Sequence, residues 1–178
     1  ADAERILTIS SGTHGAEGFC GSALQSWFVD VAPALPENTA VVLVHAVNPY
    51  GFAHVRRVNE DNVDLNRNFI DFSKGRPEND AYAEIFDLLN PREWSDETPA
   101  AIEASLKRVQ AATDPLQFMK MISGGQYDFA DGMQFGGFEP AWSRRTIEDV
   151  WQRYLGTAKI VVQIDIHTGL GEDGVGVL

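Results

Sequence analysis

Two histidines and one glutamate are the residues of this chain best suited to hold a metal ion. His14 and Glu17 are three residues apart in His-Gly-Ala-Glu, a spacing that lets an imidazole and a carboxylate reach one ion from a tight turn. Gly18 stands where the second histidine of a helical His-Glu-x-x-His site would be, so a third ligand must come from elsewhere in the chain. His167 is the best-placed candidate, because it directly follows the aliphatic run Lys159 to Ile166. Two imidazoles, one carboxylate and an open position suit a single catalytic zinc ion, and cobalt or another divalent ion fits the same donors. Taken alone, a His-x-x-Glu pair is a weak signal, and a histidine ending a strand is more often structural. Their shared place, just beyond two strands, favours the metal reading.

A second group lies in the Asn- and Arg-rich stretch after residue 52. It includes Arg57-Val58-Asn59 and Val63-Asp64-Leu65-Asn66-Arg67-Asn68-Phe69. Arginine grips carboxylates through two parallel N–H bonds, which makes this stretch a candidate carboxylate binder. Its plainer reading is a solvated loop whose asparagines shape turns. Of the remaining histidines, His45 reads as strand core and His54 as a loop residue, and neither is given a role.

Strands and helices must position these groups. Arg5 to Ser10 and Thr39 to Val47 read as buried strands, and so does Lys159 to Ile166. A helix is expected from about Glu17, ended by Pro33 and Pro36. Asn48-Pro49-Tyr50-Gly51 reads as a turn, and residues 52–75 as a long polar connection. Further helices are expected at about 79–89, at about 99–112 with Thr98 as N-cap, and from Pro115 to Ile122. Residues 123–142 look like an ordered loop. Ser143 is expected to cap a last helix running to Leu155, with Gly156 stopping it. Strands separated by helices predict an α/β three-layer sandwich around a mixed, largely parallel sheet. Ligands of such sheets bind beyond the carboxyl ends of the strands, where His14, Glu17 and His167 fall.

Composition limits the possible partners. The chain has 178 residues, 44% hydrophobic and 22% charged, a balance that fits one globular domain over 1–178. Acidic residues outnumber basic ones 26 to 14, and the formal charge of -12 argues against nucleic acid. No apolar run is long enough to cross a membrane. The single cysteine, Cys20, allows no internal disulfide, and a cytoplasmic setting is the simpler expectation.

His14-x-x-Glu17, Asn48-Pro49-x-Gly51, Arg57-x-Asn59, the segment Val63 to Phe69, and Asp165-Ile166-His167 together resemble the metallocarboxypeptidase family, in order and spacing. More narrowly, Gly124-Gly125-Gln126-Tyr127, Gly136-Gly137 and Trp142-Ser143 resemble a bacterial branch of uncharacterised carboxypeptidase-like proteins. The resemblance implies a zinc-dependent hydrolase of peptide or amide bonds. Zinc would be held by His14, Glu17 and His167. Arg57 would stabilise the oxyanion, and Asn66 and Arg67 would hold the free carboxylate of a small peptide or acyl-amino-acid substrate. Deacylation of small N-acyl amino acids, as in desuccinylases and aspartoacylases, is an alternative, and a non-catalytic zinc- or carboxylate-binding module is another. The family's late glutamate base has no counterpart after His167, since Glu172 and Asp173 lie too close to the ligand. The chain is therefore expected to be an incomplete portion of the catalytic domain, truncated at its C-terminus.

Overall fold

A computed structural model of the chain describes residues 3–169, 171, 172 and 174–176. Asp173 and the terminal Val177 and Leu178 lie outside the described residues. The fold is α/β, a three-stranded parallel sheet with several helices, compatible with a three-layer sandwich. The chain divides into two compact units, residues 1–60 with 141–178, and residues 61–140.

The first unit opens with β1 (Arg5–Ser11), a turn of 3-10 helix at Gly15–Glu17, and α1 (Gly18–Val31). Then come β2 (Thr39–Val44) and α2 (Pro49–His54). Alternation along β1 buries Ile6, Thr8 and Ser10 on one face, as expected of a strand with period two. β2 is shorter than its apolar run because Ala46 takes a left-handed backbone (φ 57°) that ends the strand. His45 therefore leaves the sheet. It is exposed and pairs with Ser22 Oγ at 3.0 Å, not buried in a strand core as expected. The expected turn at 48–51 is instead the start of α2. Asn48 caps it by accepting from the Gly51 N–H at 2.8 Å, and Pro49 occupies the first turn, where a missing N–H costs nothing. His54 is the last residue of α2, not a loop residue.

The second unit contains α3 (Leu65–Asn68), α4 (Asp80–Ala83), α5 (Phe86–Leu89), α6 (Thr98–Ala112) and α7 (Pro115–Ser123). The stretch expected to be a loop through residue 75 thus includes the short α3 and a 3-10 turn at Phe72–Lys74. The single helix expected at 79–89 is two, interrupted where Ile85 adopts φ -115° and ψ 2°. Tyr82, Ile85 and Met121 form the buried core here, with Phe86, Leu89, Val109, Ile122 and Phe129 packed around them. In α6 Thr98 is the first helical residue and Glu97 the cap. Residues 124–140 form an ordered loop, and Ser123 still belongs to α7. Buried Gln126 donates to the Phe129 and Met133 carbonyls and accepts from the Asp128 and Phe129 N–H groups.

The chain then returns to the first unit with α8 (Trp142–Leu155) and β3 (Ile160–Ile166). Ala141 is the cap of α8, and Ser143 lies inside the helix instead of capping it. β3 reads as a buried strand, but it is exposed over its first four residues, with Ile160, Val161 and Val162 open. It lies at one edge of the sheet. The strand order is β2-β1-β3, so β1 is the only described strand beside it. Both pairings are parallel, with Ser10 opposite Val44 on one side and Asp165 on the other.

Candidate metal centre

The strand order sets where a site can form. From the central β1 the chain moves to β2 on one side, and β3 later joins on the other. The carboxyl ends of β1 and β3 therefore flank a topological switch point, where α/β sheets bind ligands. His14 and Glu17 follow β1, and His167 follows β3.

There the three side chains converge. His14 Nδ1 lies 2.9 Å from Glu17 Oε1, His167 Nδ1 lies 3.0 Å from Glu17 Oε2, and the two Nδ1 atoms are 3.2 Å apart. The imidazole rings meet edge to face, with centroids 4.8 Å apart and planes at 63°, so they do not stack. Donors bound at zinc's usual bond lengths at the corners of a tetrahedron stand about 3.3 Å apart. The histidines face different oxygens of Glu17, so the three distances are not edges of a single face, but they bring all three groups within reach of one ion, and two imidazole nitrogens with a carboxylate suit zinc. His14 is buried, Glu17 is partly buried and His167 is exposed, so the cluster opens to solvent on the His167 side.

Backbone contacts hold the first two groups in place. The N–H groups of Gly15 and Ala16 donate to the Arg57 and Arg56 carbonyls, clamping the 3-10 turn against the segment after α2. That approach requires glycine, because a Cβ on Gly15 would lie 2.0 Å from the Gly51 carbonyl carbon. Asn48, fully buried, joins three segments. Its N–H donates to Gly12 O, its Oδ1 accepts from Gly51, and its Nδ2 donates to Arg57 O. The Asn48-Pro49-x-Gly51 motif is thus scaffolding beneath the cluster. Arg57 is exposed, and its Nη1 lies 3.6 Å from Glu17 Oε1.

Electrostatics follow from this packing. Burial raises the Glu17 pKa, but the Thr168 N–H, the charge of His14 and hydrogen bonds from both histidines outweigh it, holding the carboxyl below its usual range. The hydrogen bond to Asp165 lifts His167 above the ordinary histidine value, against burial and with help from Glu17. Asp165, likewise raised by burial, ends below its usual value through hydrogen bonds from His167, Ser10 and Thr13.

A family model described as "Protein of unknown function (DUF2817)" matches residues 1–178. The chain belongs to that family. Neither curated proteins nor solved structures gave a match.

In this DUF2817 member Asn66 and Arg67 belong to the second unit, whereas His14, Glu17 and His167 belong to the first. Asn66 is exposed, and its N–H donates to Asp64 Oδ1, the cap of α3. Arg67 donates to the Ser123 carbonyl from Nε and Nη2, at 3.1 and 2.7 Å, and to its neighbour's carbonyl from Nη1. These bonds use three of its five N–H groups and fix the plane of the guanidinium. Asn62 and Asn68 donate to the Ala130, Gly132, Gly136 and Glu139 carbonyls, so these asparagines shape a loop, as the plainer sequence reading has it. Sequence reasoning gives no role to Asp165, Thr13 or Ser10. Asp165 alone leaves a signal: in Asp165-Ile166-His167 it sits two residues before a proposed ligand, on the same side of a strand.

Proposed function

We propose that this chain is a zinc-dependent hydrolase of peptide or amide bonds, resembling the metallocarboxypeptidases, with one ion held by His14, Glu17 and His167. The observation that carries the reading is the convergence of His14 Nδ1, His167 Nδ1 and the Glu17 carboxylate at 2.9–3.2 Å. Three such acceptors repel one another unless a proton or a metal cation stands between them.

Bound zinc would lower the pKa of its water to about 7 and polarise a carbonyl oxygen. Glu17 contributes a charged carboxylate, steadied by the Thr168 N–H at 2.9 Å. Arg57 sets a permanent positive charge beside that carboxylate, suited to an oxyanion that develops only as the bond breaks. Asn66 and Arg67 are proposed for the free carboxylate of a small peptide or acyl-amino-acid substrate on the sequence resemblance alone. Arg67 keeps two N–H groups beyond those bound to Ser123 and Asn66.

The test combines metal analysis with two substrate panels. Protein supplied with zinc should hold one ion per chain. It should cleave N-blocked dipeptides with a free C-terminal carboxylate and spare their amides. Preference for small N-acyl amino acids would instead mark a deacylase. Bound zinc without turnover of either panel would reduce the reading to a binding module. A folded protein that takes up no zinc would refute it.

A further inference from the structure

Val55 stands in a backbone conformation that its residue type resists. It follows the last residue of α2 with φ 53° and ψ 45°, the left-handed region. The Val55 N–H donates to Phe52 O at 3.5 Å and the Arg56 N–H to Gly51 O at 2.8 Å, the paired bonds of a Schellman turn. Glycine is the usual residue there, because a Cβ crowds the backbone in this conformation. Of the described non-glycine residues with positive φ, Ala32, Asn38, Ala46, Asn62 and Gln134 are unbranched at Cβ, and Val55 alone is branched. Branching makes the crowding worse.

Burial does not offset this strain, since the side chain is 64% exposed. Glycine could make the same two backbone hydrogen bonds. Strained residues of this kind gather at active sites and ligand clamps, so an outlier that the fold does not need points to a ligand.

Its surroundings say which ligand. The turn delivers the next two carbonyls, of Arg56 and Arg57, to the N–H groups of Ala16 and Gly15. These two rungs run in opposite chain directions, and one step beyond the Ala16–Arg56 rung the segments continue with Glu17 and Val55. Arg57, two residues after Val55, sets its Nη1 3.6 Å from the same Glu17. An exposed aliphatic side chain therefore borders the segment that carries a candidate ligand and the charge proposed for the oxyanion. The charged groups suit the reacting carbonyl. Two methyl groups suit only an apolar substituent beside it.

We propose that Val55 is a specificity-determining residue, an apolar contact for a branched aliphatic group next to the scissile bond. This deepens the hydrolase reading and rests on it for the reaction, though the contact itself requires no turnover. A substrate covering Val55 takes out of water methyl groups that the free protein leaves wet.

The experiment compares wild type, Val55→Gly and Val55→Thr as full chains supplied with zinc. Urea midpoints read the strain. Values of kcat and KM for N-acetyl-Leu-Ala and N-acetyl-Ala-Leu, against their glycine counterparts, read the contact during turnover. Calorimetry with isovalerate and acetate reads it without turnover. Wild type should favour leucine on one side of the bond, through KM, and isovalerate over acetate. Val55→Gly should raise the urea midpoint and shrink both preferences about tenfold. Val55→Thr keeps the branched shape and its strain but replaces a methyl by a hydroxyl. Its midpoint should stay near wild type while the preferences shrink. A lower midpoint in Val55→Gly would show that valine suits the turn and would overturn the proposal. So would preferences that are absent in wild type or kept in the folded variants. An equal fall of kcat for leucine and glycine substrates would indicate a displaced Arg57 and overturn it too. Turnover without any leucine preference sinks the contact and leaves the hydrolase reading standing. An isovalerate preference that depends on Val55, without turnover of any substrate, keeps the contact and sinks the hydrolase reading.

Discussion

Zinc should raise the melting temperature of this protein, and Glu17→Gln should nearly abolish that rise. The three candidate ligands join residues 14, 17 and 167, so an ion bound by them favours only the state in which β1 and β3 are paired. With free zinc at 100 times its Kd, mass action adds about 2.7 kcal/mol of stability. For a chain of this length 1 kcal/mol is worth about 2–4 °C, which gives a rise of about 5–11 °C. The glutamine side chain would keep an oxygen for the Thr168 N–H but would lose the charge and one ligand oxygen. If that weakens binding about a hundredfold, the same zinc concentration adds only RT ln 2, about 0.4 kcal/mol, and the rise shrinks to about 1–2 °C.

The metal-free forms should behave differently. In Glu17→Gln, with the amide oxygen kept for the Thr168 N–H, the new NH₂ can donate to His14 Nδ1, which in wild type faces Glu17 Oε1 at 2.9 Å. The variant without metal should therefore melt no lower than wild type without metal. Scanning calorimetry of both proteins, with chelator and with zinc, reads all four states. His45→Ala, a change at an exposed histidine outside the cluster, should keep the full rise. A rise retained in Glu17→Gln, or absent in wild type, would refute the reasoning.

Arg57→Ala should lower kcat about 10²–10³-fold, as removal of one oxyanion donor does, while zinc content by metal analysis stays at the wild-type level. Gly15→Ala forces its Cβ to within 2.4 Å of three backbone atoms of Gly51 and Phe52, so it should cost about 3 kcal/mol, the upper end for overpacking, read from the denaturant midpoint. Burial raises the pKa of both Tyr82 and Tyr127, which favours their neutral forms in the folded state. Their contribution to stability is complete below the unfolded tyrosine value of about 10 and is lost as pH rises through the folded values. Urea midpoints should therefore fall from pH 9 to pH 11, and the fall should be shallower in Tyr82→Phe and Tyr127→Phe.

The candidate ligands were legible because each follows a strand whose composition is unambiguous. Arg5 to Ser10 and Lys159 to Ile166 leave little choice but extended structure, and their ends must share an edge if the strands are parallel. What covers a strand was not legible. Val161 and Val162 look like core residues by type, yet exposure depends on neighbours supplied by distant parts of the chain. The asparagines were legible only in kind. Asn48, Asn62 and Asn68 read as turn or donor residues, and they do donate, but to carbonyls that their local sequence does not identify. Local signals cannot name such partners. Ala46 shows the reverse case, where an apolar residue ends a strand through a left-handed backbone that its type gives no reason to expect.

Register is the part of the site that no list of ligands contains. β1 and β3 pair with Ser10 opposite Asp165 and Ser11 opposite Ile166. A slip of one residue would turn Asp165 and His167 to the other face of the sheet, away from Thr13 and His14. The Ser10–Asp165 hydrogen bond at 2.7 Å disfavours that slip, since it would leave the carboxylate without the hydroxyls that share its charge. That contact thus fixes the height at which His167 meets His14. Weakening it should loosen the strand pairing at the carboxyl end first, where the proposed metal would otherwise hold the two strands together.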